Sequence, residues 1–254
     1  MNSYLRSRTC LATTSFAIIL ALFSCSAKAQ DGLAVVELFT SQGCSSCPPA
    51  DRVLSEIQTQ ATDRKLEVYV LSFHVDYWNR LGWDDPYSSP EFSRRQRTYA
   101  NVMGSDRVYT PQMIVNGAEE FVGSRKSTAL SAINDSLKQK PRIKVSLPSV
   151  KSIGDGKVKV DYQMSNLAEK QVLNFALVHT PKANAVPRGE NGGRKLEHVN
   201  VVRAYKTIAL TDQSGSIQLE GPSDVQLSSA KVIAYVQGRT DAKVIGAAEK
   251  SVQL

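Results

Sequence analysis

The sequence of 254 residues predicts an α/β domain followed by an all-β sandwich domain. Three observations support this. Strand-like runs and amphipathic segments alternate in the first half, whereas seven short alternating segments separated by turn residues fill the second. The composition, 42% hydrophobic and 22% charged, is that of a globular protein. We expect an N-terminal signal peptide over residues 1–29, the α/β domain over 30–142 and the β-sandwich over 143–254.

Residues 1–29 have the pattern of an export signal. Arg6 and Arg8 precede a mostly apolar stretch, and Ala27-Lys28-Ala29 fits a cleavage site. The apolar stretch is shorter than the roughly 20 residues that span a bilayer. We therefore expect a periplasmic or secreted protein cleaved near Ala29. An uncleaved anchor and a lipoprotein attached at Cys25 are the alternatives.

The first half is predicted to contain strands and helices in alternation. Leu33–Thr40 is an apolar run rich in β-branched residues and predicts a buried strand. Prolines at 48 and 49 suit the first turn of a helix that ends before Arg64. The elements predicted after it are a strand over Leu66–His74, a long loop over Val75–Ser89, a helix from Ser89-Pro90, a strand over Gln112–Asn116, a hairpin turn at Asn116-Gly117, a strand over Glu119–Val122 and a helix over Ser124–Gln139.

The second half is predicted to be all strand. Its segments are Ile143–Leu147, Lys157–Met164, Val172–His179, Val199–Leu210, Ser216–Leu219, Lys231–Val236 and Lys243–Val252. The connection at Lys140-Pro141-Arg142 is too short for a free linker. We therefore expect the two halves to pack in a fixed relation.

The net charge of +7 is spread thinly along the chain, without a basic run or a stripe of interleaved aromatic residues. This pattern does not favour a nucleic-acid partner. A weak association with the cell envelope stays open, and the sequence does not determine an oligomeric state.

The cysteines favour redox chemistry. Cleavage of the signal peptide would leave only Cys44 and Cys47 of the four. A disulfide across this four-residue loop would remove only about 2 kcal/mol of chain entropy, against about 4.7 kcal/mol for a hundred-residue loop, so it is a poor structural staple. A lone C-x-x-C between a strand and a helix is more typical of a redox pair that needs no further cofactor.

Two other interpretations of the cysteine pair stay open. The chain has no second C-x-x-C or H-x-H pair to complete the four ligands of zinc, and we predict no metal site. Two thiolates alone could hold Cu(I), which accepts soft ligands at low coordination. The pair could also be a merely structural disulfide.

The position of the pair at a helix N-terminus suggests a role for each sulfur. The free N–H groups and the helix dipole favour a thiolate there, so Cys44 would be the exposed attacking thiolate and Cys47 the resolving thiol. His74 lies at the end of the second predicted strand and could assist proton transfer. A structural histidine tied to a loop carbonyl is the alternative.

The predicted elements of the first half follow the order β-α-β-α-β-β-α. The C-x-x-C lies between the first strand and the first helix, and Thr110-Pro111 precedes a later strand. This arrangement resembles the thioredoxin superfamily. More narrowly, the stretches Glu37–Asp51, Phe73–Trp78 and His198–Arg203 resemble a family of exported bacterial proteins known as a domain of unknown function. The superfamily resemblance implies a thioredoxin-like α/β domain, a cis Pro111 against the cysteines, and a buried carboxylate at Glu37 that relays the proton of the resolving thiol.

The function expected is that of an exported thiol–disulfide oxidoreductase acting on a protein or small-molecule thiol or disulfide. A Cu(I) metallochaperone and a non-catalytic interaction protein are the alternatives. The candidate substrate-binding residues are Thr110, Asp76, Trp78, His198 and Arg203. We also expect the polar, glycine-containing loop that leads from Glu190 to His198 to lie toward Cys44 and narrow access to it, with Arg203 on the strand beyond.

Overall fold

A computed structural model describes residues 32–167 and 170–254 of the chain. The predicted signal peptide, its cleavage site and Cys25 lie outside the described residues. Within them, no helix combines the length and the apolar character needed to cross a membrane.

Three α-helices and five strands form the first half of the described chain. In order these are β1 (Ala34–Thr40), α1 (Pro48–Arg64), β2 (Val68–Val75), β3 (Ser88–Ser89), α2 (Pro90–Val102), β4 (Gln112–Val115), β5 (Glu119–Val122) and α3 (Lys126–Leu137). Both predicted helix starts at prolines are confirmed, and Ser89 caps α2 by accepting a hydrogen bond from the N–H of Glu91. Asn116 and Gly117 both have positive φ, as the predicted hairpin turn requires.

The second half contains nine strands among the described residues. They are β6 (Val145–Ser152), β7 (Lys157–Met164), β8 (Gln171–His179), β9 (Asn184–Ala185), β10 (Lys195–Leu196), β11 (Val201–Ala209), β12 (Ser214–Glu220), β13 (Lys231–Gly238) and β14 (Val244–Ser251). Six of the seven predicted strands are present with small changes at their ends, whereas the first, predicted over Ile143–Leu147, is displaced to Val145–Ser152. The two-residue strands β9 and β10 were not predicted.

One mixed sheet runs through both halves. Its order is β14-β13-β8-β11-β2-β1-β4-β5, and β3 also pairs with β2. The two halves meet where β11 runs parallel to β2, with Val201 opposite Ser72. The side chain of Asn200 secures this junction by donating hydrogen bonds to the carbonyl of Val70 and to Gln58. The expected fixed relation between the halves is therefore confirmed.

The predicted fold class, a thioredoxin-like α/β domain followed by an all-β sandwich domain, is wrong. Strands make up 39% and helices 22% of the described residues. The sheet of the first half does not end at β2 but continues into β11, β8, β13 and β14. Local sequence patterns predicted the strands, but they carry no information about pairing between strands so far apart in the chain. The boundary at residues 142 and 143 stays a prediction.

Three apolar clusters hold these layers together. Alternate residues of β1 point to opposite faces of the sheet. Leu38 and its even-numbered neighbours pack against α1 and α3, whereas Phe39 packs on the face that α2 covers. The cluster on the α2 face also includes Val202 and Tyr235 from the second half. A third cluster fills the space between the large sheet and the three-stranded sheet of β12, β7 and β6.

Candidate functional site

The two cysteines lie between the end of β1 and the start of α1. Cys44 and Cys47 form a disulfide with a Cα–Cα distance of 5.4 Å, within the ordinary range for such a bond. Cys47 is the N-cap residue of α1, and Pro48 and Pro49 are its first two residues. The prolines fit because the first turn of a helix has no intrahelical partner for its N–H groups.

Thr110 contacts the first sulfur directly. Its Oγ1 donates a hydrogen bond to Cys44 Sγ over 3.3 Å and accepts one of 2.7 Å from Trp78 Nε1. Ser46 Oγ lies 3.4 Å from the same sulfur. The Thr110-Pro111 peptide bond is cis, as expected, and Pro111 is buried. Two of the predicted substrate-binding residues are thus part of the immediate surroundings of Cys44.

Both cysteines are fully buried, each with 0% of its surface exposed. The expectation of an exposed Cys44 is therefore wrong for this state of the protein. The intervening residues Ser45 and Ser46 are exposed. Solvent reaches the C-x-x-C loop but not its sulfur atoms, so any reagent requires a local movement to reach them.

A loop of the second half, residues 186–194, lies against the backbone of Gln42, Cys44 and Ser45, and we call it the covering loop. Asn191 Nδ2 donates hydrogen bonds to the carbonyls of Gln42, at 2.9 Å, and of Cys44, at 2.8 Å. Glu190 accepts a 2.9 Å hydrogen bond from the N–H of Ser45, and hydrogen bonding from the Ser45 side chain and this N–H lowers the pKa of Glu190. Gly189, near one end of this loop, has a φ of 79° and approaches Gly43 closely. The expected approach of the loop to Cys44 is confirmed.

The side chain of Gln42, in the loop between β1 and α1 that holds the cysteines, connects this loop to the second half of the chain. Its side chain and that of Asn184 exchange two hydrogen bonds, of 2.8 and 3.1 Å. Its Oε1 also accepts from Trp83 Nε1, which fixes the orientation of the amide. Its Nε2 is therefore the donor in the 3.2 Å contact with His198 Nε2, which accepts this hydrogen bond when the imidazole is neutral.

His74 is buried and bonded to Asp85. The distance between His74 Nδ1 and Asp85 Oδ2 is 2.7 Å, and the same oxygen accepts from the N–H of Gln42 at 2.8 Å. Burial raises the pKa of Asp85, but His74 and the N–H groups of Gln42 and Tyr87 outweigh it and hold that pKa below its ordinary value. His74 Nε2 has no hydrogen-bond partner among the described residues. His74 thus supports the turn before Cys44, and no contact joins it to a sulfur.

His198 stands beside His74 on the other side of this cluster. The two ring centroids are 4.6 Å apart in an edge-to-face arrangement, and His198 Nδ1 lies 3.7 Å from Asp51 Oδ1. Burial lowers the pKa of His198, but Asp51 and Asp85 outweigh it, so that pKa is raised above its ordinary value. Asp51, Thr180 and His198 are among the residues that line a cavity of about 270 Å³.

Three of the predicted site residues lie elsewhere. Glu37 is bonded to Arg95 at 2.6 and 2.8 Å, on the face of β1 opposite α1, so the expected proton relay from Glu37 to Cys47 finds no support. Asp76 bonds to Ser93 at the start of α2. The guanidinium of Arg203 stacks on the Tyr87 ring and forms an ion pair with Asp224. Arg203 does not contact His198 directly: the Tyr87 ring lies between them and contacts both.

Sequence reasoning missed several residues that build this site: Gln42, Asp51, Asp85, Asn184 and Asn191. Gln42 and Asp51 lie within the distinctive stretch around the cysteines, which was the one available signal. Asp85 lies in a loop and Asn184 on the two-residue strand β9, neither marked by a sequence pattern, whereas Asn191 lies in the loop that was expected to approach Cys44. Among the residues that the structure describes, no group of three or more His, Cys, Asp or Glu could hold a metal ion.

The fold and the site define a β-rich protein in which one C-x-x-C disulfide at a helix N-terminus is buried under a loop of the second half. The chain belongs to the family described as "Protein of unknown function (DUF1223)", whose model matches residues 35–237. The narrower of the two resemblances seen in the sequence is therefore correct, and no comparison supports a thioredoxin-like assignment.

A protein from Agrobacterium tumefaciens with a known crystal structure is similar over nearly its whole length. It is 28% identical, with a TM-score of 0.64 over 89% of this chain and 99% of that one. The ligand-binding region of serine-glutamate repeat protein A from Enterococcus faecium, 10% identical, has a TM-score of 0.27 over 46% of this chain and 99% of that one. The human B7-H4 IgV-like domain, 12% identical, has 0.22 over 44% and 94%. The last two scores are too low to support any argument. No curated protein matches the chain.

Proposed function

We propose that the protein is a thiol–disulfide oxidoreductase whose redox centre is the Cys44–Cys47 disulfide. The observation that supports this proposal is a hydrogen bond from a hydroxyl group to one sulfur of the disulfide and not to the other. Thr110 Oγ1 donates to Cys44 Sγ, whereas no side chain among the described residues donates to Cys47 Sγ. A donor stabilises a thiolate more than a neutral sulfur, so it favours Cys44 as the sulfur that carries charge after reduction.

The exchange proceeds in two steps that balance. A substrate thiolate attacks Cys44 Sγ, the bond between the two cysteine sulfurs breaks, and Cys47 leaves as a thiolate that takes up a proton. A second substrate thiolate then attacks the substrate sulfur of the mixed disulfide and releases Cys44. Two substrate thiols are oxidised to a disulfide, and the protein disulfide gains the two electrons. The reverse sequence reduces a substrate disulfide.

Access to Cys44 requires the covering loop to move. The loop is held by the two hydrogen bonds from Asn191 and by the one to Glu190, and Gly189 and Gly193 lie on either side of these residues with φ near 80°. Opening of this loop would break its contacts with the backbone of Cys44 and Ser45 and give a substrate access to the buried Cys44. In this proposal the second half controls which substrates reach the sulfur.

We also propose that the protein is exported from the cytoplasm. A disulfide persists in an oxidising compartment, and residues 1–29 have the pattern of a signal for one. The N-terminus of the protein purified from the secreted or periplasmic fraction should then start near Gln30.

Catalysed reduction of insulin by dithiothreitol tests the proposed activity. The purified protein should accelerate the reaction, and Cys44→Ser and Cys47→Ser should each abolish the acceleration. Ser216→Ala is the matched control, because this exposed serine lies on β12 of the three-stranded sheet, outside the elements that hold the cysteines. An inactive wild-type protein that binds Cu(I) through both cysteines when reduced would instead favour the metallochaperone alternative.

A further inference from the structure

A second cavity of about 390 Å³ lies between α2 and the second half, on the face of the sheet opposite α1. Residues of α2 form one wall, and residues of β8, β11 and β13 form the other. Its surface is mixed: Val102 and Val172 supply apolar contact, and Asn174 and Thr207 supply polar groups. A concave site with apolar walls and a few fixed polar groups is typical of small-molecule binding.

Arg95 forms the charged part of this cavity and is held rigidly. Its guanidinium is bonded to Glu37 through Nε and Nη2 and lies within 5.5 Å of the ring centroids of four aromatic residues, Phe73, Tyr99, Tyr205 and Tyr235. Such a buried ion pair adds little net stability compared with apolar residues of the same size. The Arg95–Glu37 pair is better explained by a binding function that requires a guanidinium in a fixed position.

One nitrogen of Arg95 is free to bind a ligand. Nη1 donates no hydrogen bond to any described residue and is not among the polar atoms shut off from solvent. The side chain is 11% exposed, and the cavity is the place where solvent reaches it. An arginine carries five N–H donors, and the two on Nη1 are left without an acceptor among the described residues.

The charges around the cavity favour a ligand with a single negative charge. Glu37 neutralises Arg95, while the exposed Arg94 and Arg239 form no ion pair within the described chain. Glu91 also lines the cavity and offsets one of those two arginines. The remaining excess of one positive charge matches a monocarboxylate better than a dianion.

We propose that this cavity binds a small organic monocarboxylate, with its carboxylate on Arg95 Nη1 and its apolar part against Val102 and Val172. Arg94 and Arg239 at the rim attract the anion. Asn174 is fixed by its hydrogen bonds to Thr207 and Gln237, so this wall needs little rearrangement on binding. The site is separate from the cysteines and does not depend on the proposed exchange reaction.

Calorimetric titration of the purified protein with benzoate, and with benzamide as its uncharged counterpart, tests the proposal. Benzoate should bind at one site and benzamide at least about tenfold more weakly. Arg94→Ala and Arg239→Ala should each weaken benzoate binding by about threefold. Arg97→Ala is the control on the same helix, because Arg97 is exposed and does not line the cavity.

A substitution that fills the cavity tests most directly whether benzoate binds there. Val172→Trp should abolish benzoate binding while the thermal unfolding curve remains cooperative. Arg95 itself is left intact, because its removal would strand the buried charge of Glu37. The proposal is overturned if benzoate does not bind, if benzamide binds equally well, or if the double variant Arg94→Ala/Arg239→Ala binds benzoate like the wild type. The last comparison decides the matter even if Val172→Trp does not fold.

Discussion

The side-chain amide of Asn191 donates a hydrogen bond of 2.8 Å to the carbonyl of Cys44, although 147 positions separate the two residues in the chain. Through this contact the second half of the protein packs against the backbone of the loop that holds the disulfide. Both sulfurs are buried. The proposed exchange chemistry therefore depends on how easily this contact opens.

Asn191→Ala should make the disulfide easier to reduce. The substitution removes the two hydrogen bonds from Asn191 to the carbonyls of Gln42 and Cys44, worth about 1 kcal/mol each, so the covering loop opens more often and reduction by dithiothreitol should be about thirtyfold faster. The rate is measured by quenched alkylation and mass spectrometry. Asn101→Ala, an exposed asparagine on α2, is the matched control and should leave the rate unchanged. An unchanged rate in Asn191→Ala would show that the loop does not limit access.

Thr110→Val should raise the pKa of the Cys44 thiol in the reduced protein. The hydroxyl donor at 3.3 Å is lost while the shape of the side chain is kept, and a hydrogen bond to a charged group corresponds to about one pKa unit. The pH dependence of iodoacetamide alkylation measures this pKa. Thr110→Ser retains the hydroxyl and should behave like the wild type. Equal pKa values in the Val and Ser variants would contradict the assignment of Thr110.

The raised pKa of His198 predicts how stability depends on pH. A group that binds its proton more tightly when folded adds stability that is complete below its unfolded pKa of about 6.5 and is lost as pH rises through its folded pKa. The free energy of unfolding of the wild type should therefore fall relative to that of His198→Gln as pH rises above about 6.5. Urea unfolding of both proteins across this range tests it. A constant difference would mean that His198 does not titrate there.

Glu37→Leu should affect stability and not exchange. Glu37 holds the buried Arg95, and an unpaired buried charge costs about 3–5 kcal/mol of unfolding free energy. Because Glu37 lies on the opposite face of β1 from α1, the exchange rate of the folded variant should equal that of the wild type. Glu119→Leu, at an exposed position, is the control for stability. Loss of exchange in a folded Glu37 variant would restore the proton relay that the structure does not support.

The sequence predicted local structure well and long-range structure poorly. The prolines after Cys47 marked the start of α1, and Asn116-Gly117 marked the hairpin, because each depends on the conformational preferences of a few adjacent residues. The pairing of β11 with β2 depends on contacts between distant segments, so the fold class was wrong. For the same reason Cys44, Cys47 and Thr110 could be found from motifs, whereas Asp85 and Asn184 could not.

The relative reactivity of the two cysteines tests whether Cys44 is the sulfur that exchanges with substrate. After full reduction, the protein is treated with a limiting amount of iodoacetamide, and the modification of each cysteine is followed by peptide mass spectrometry. We expect Cys44 to react at least about tenfold faster than Cys47, with a thiol pKa below the ordinary value of about 8.5. Equal rates, or faster modification of Cys47, would contradict the assignment of Cys44 as the sulfur that exchanges with substrate.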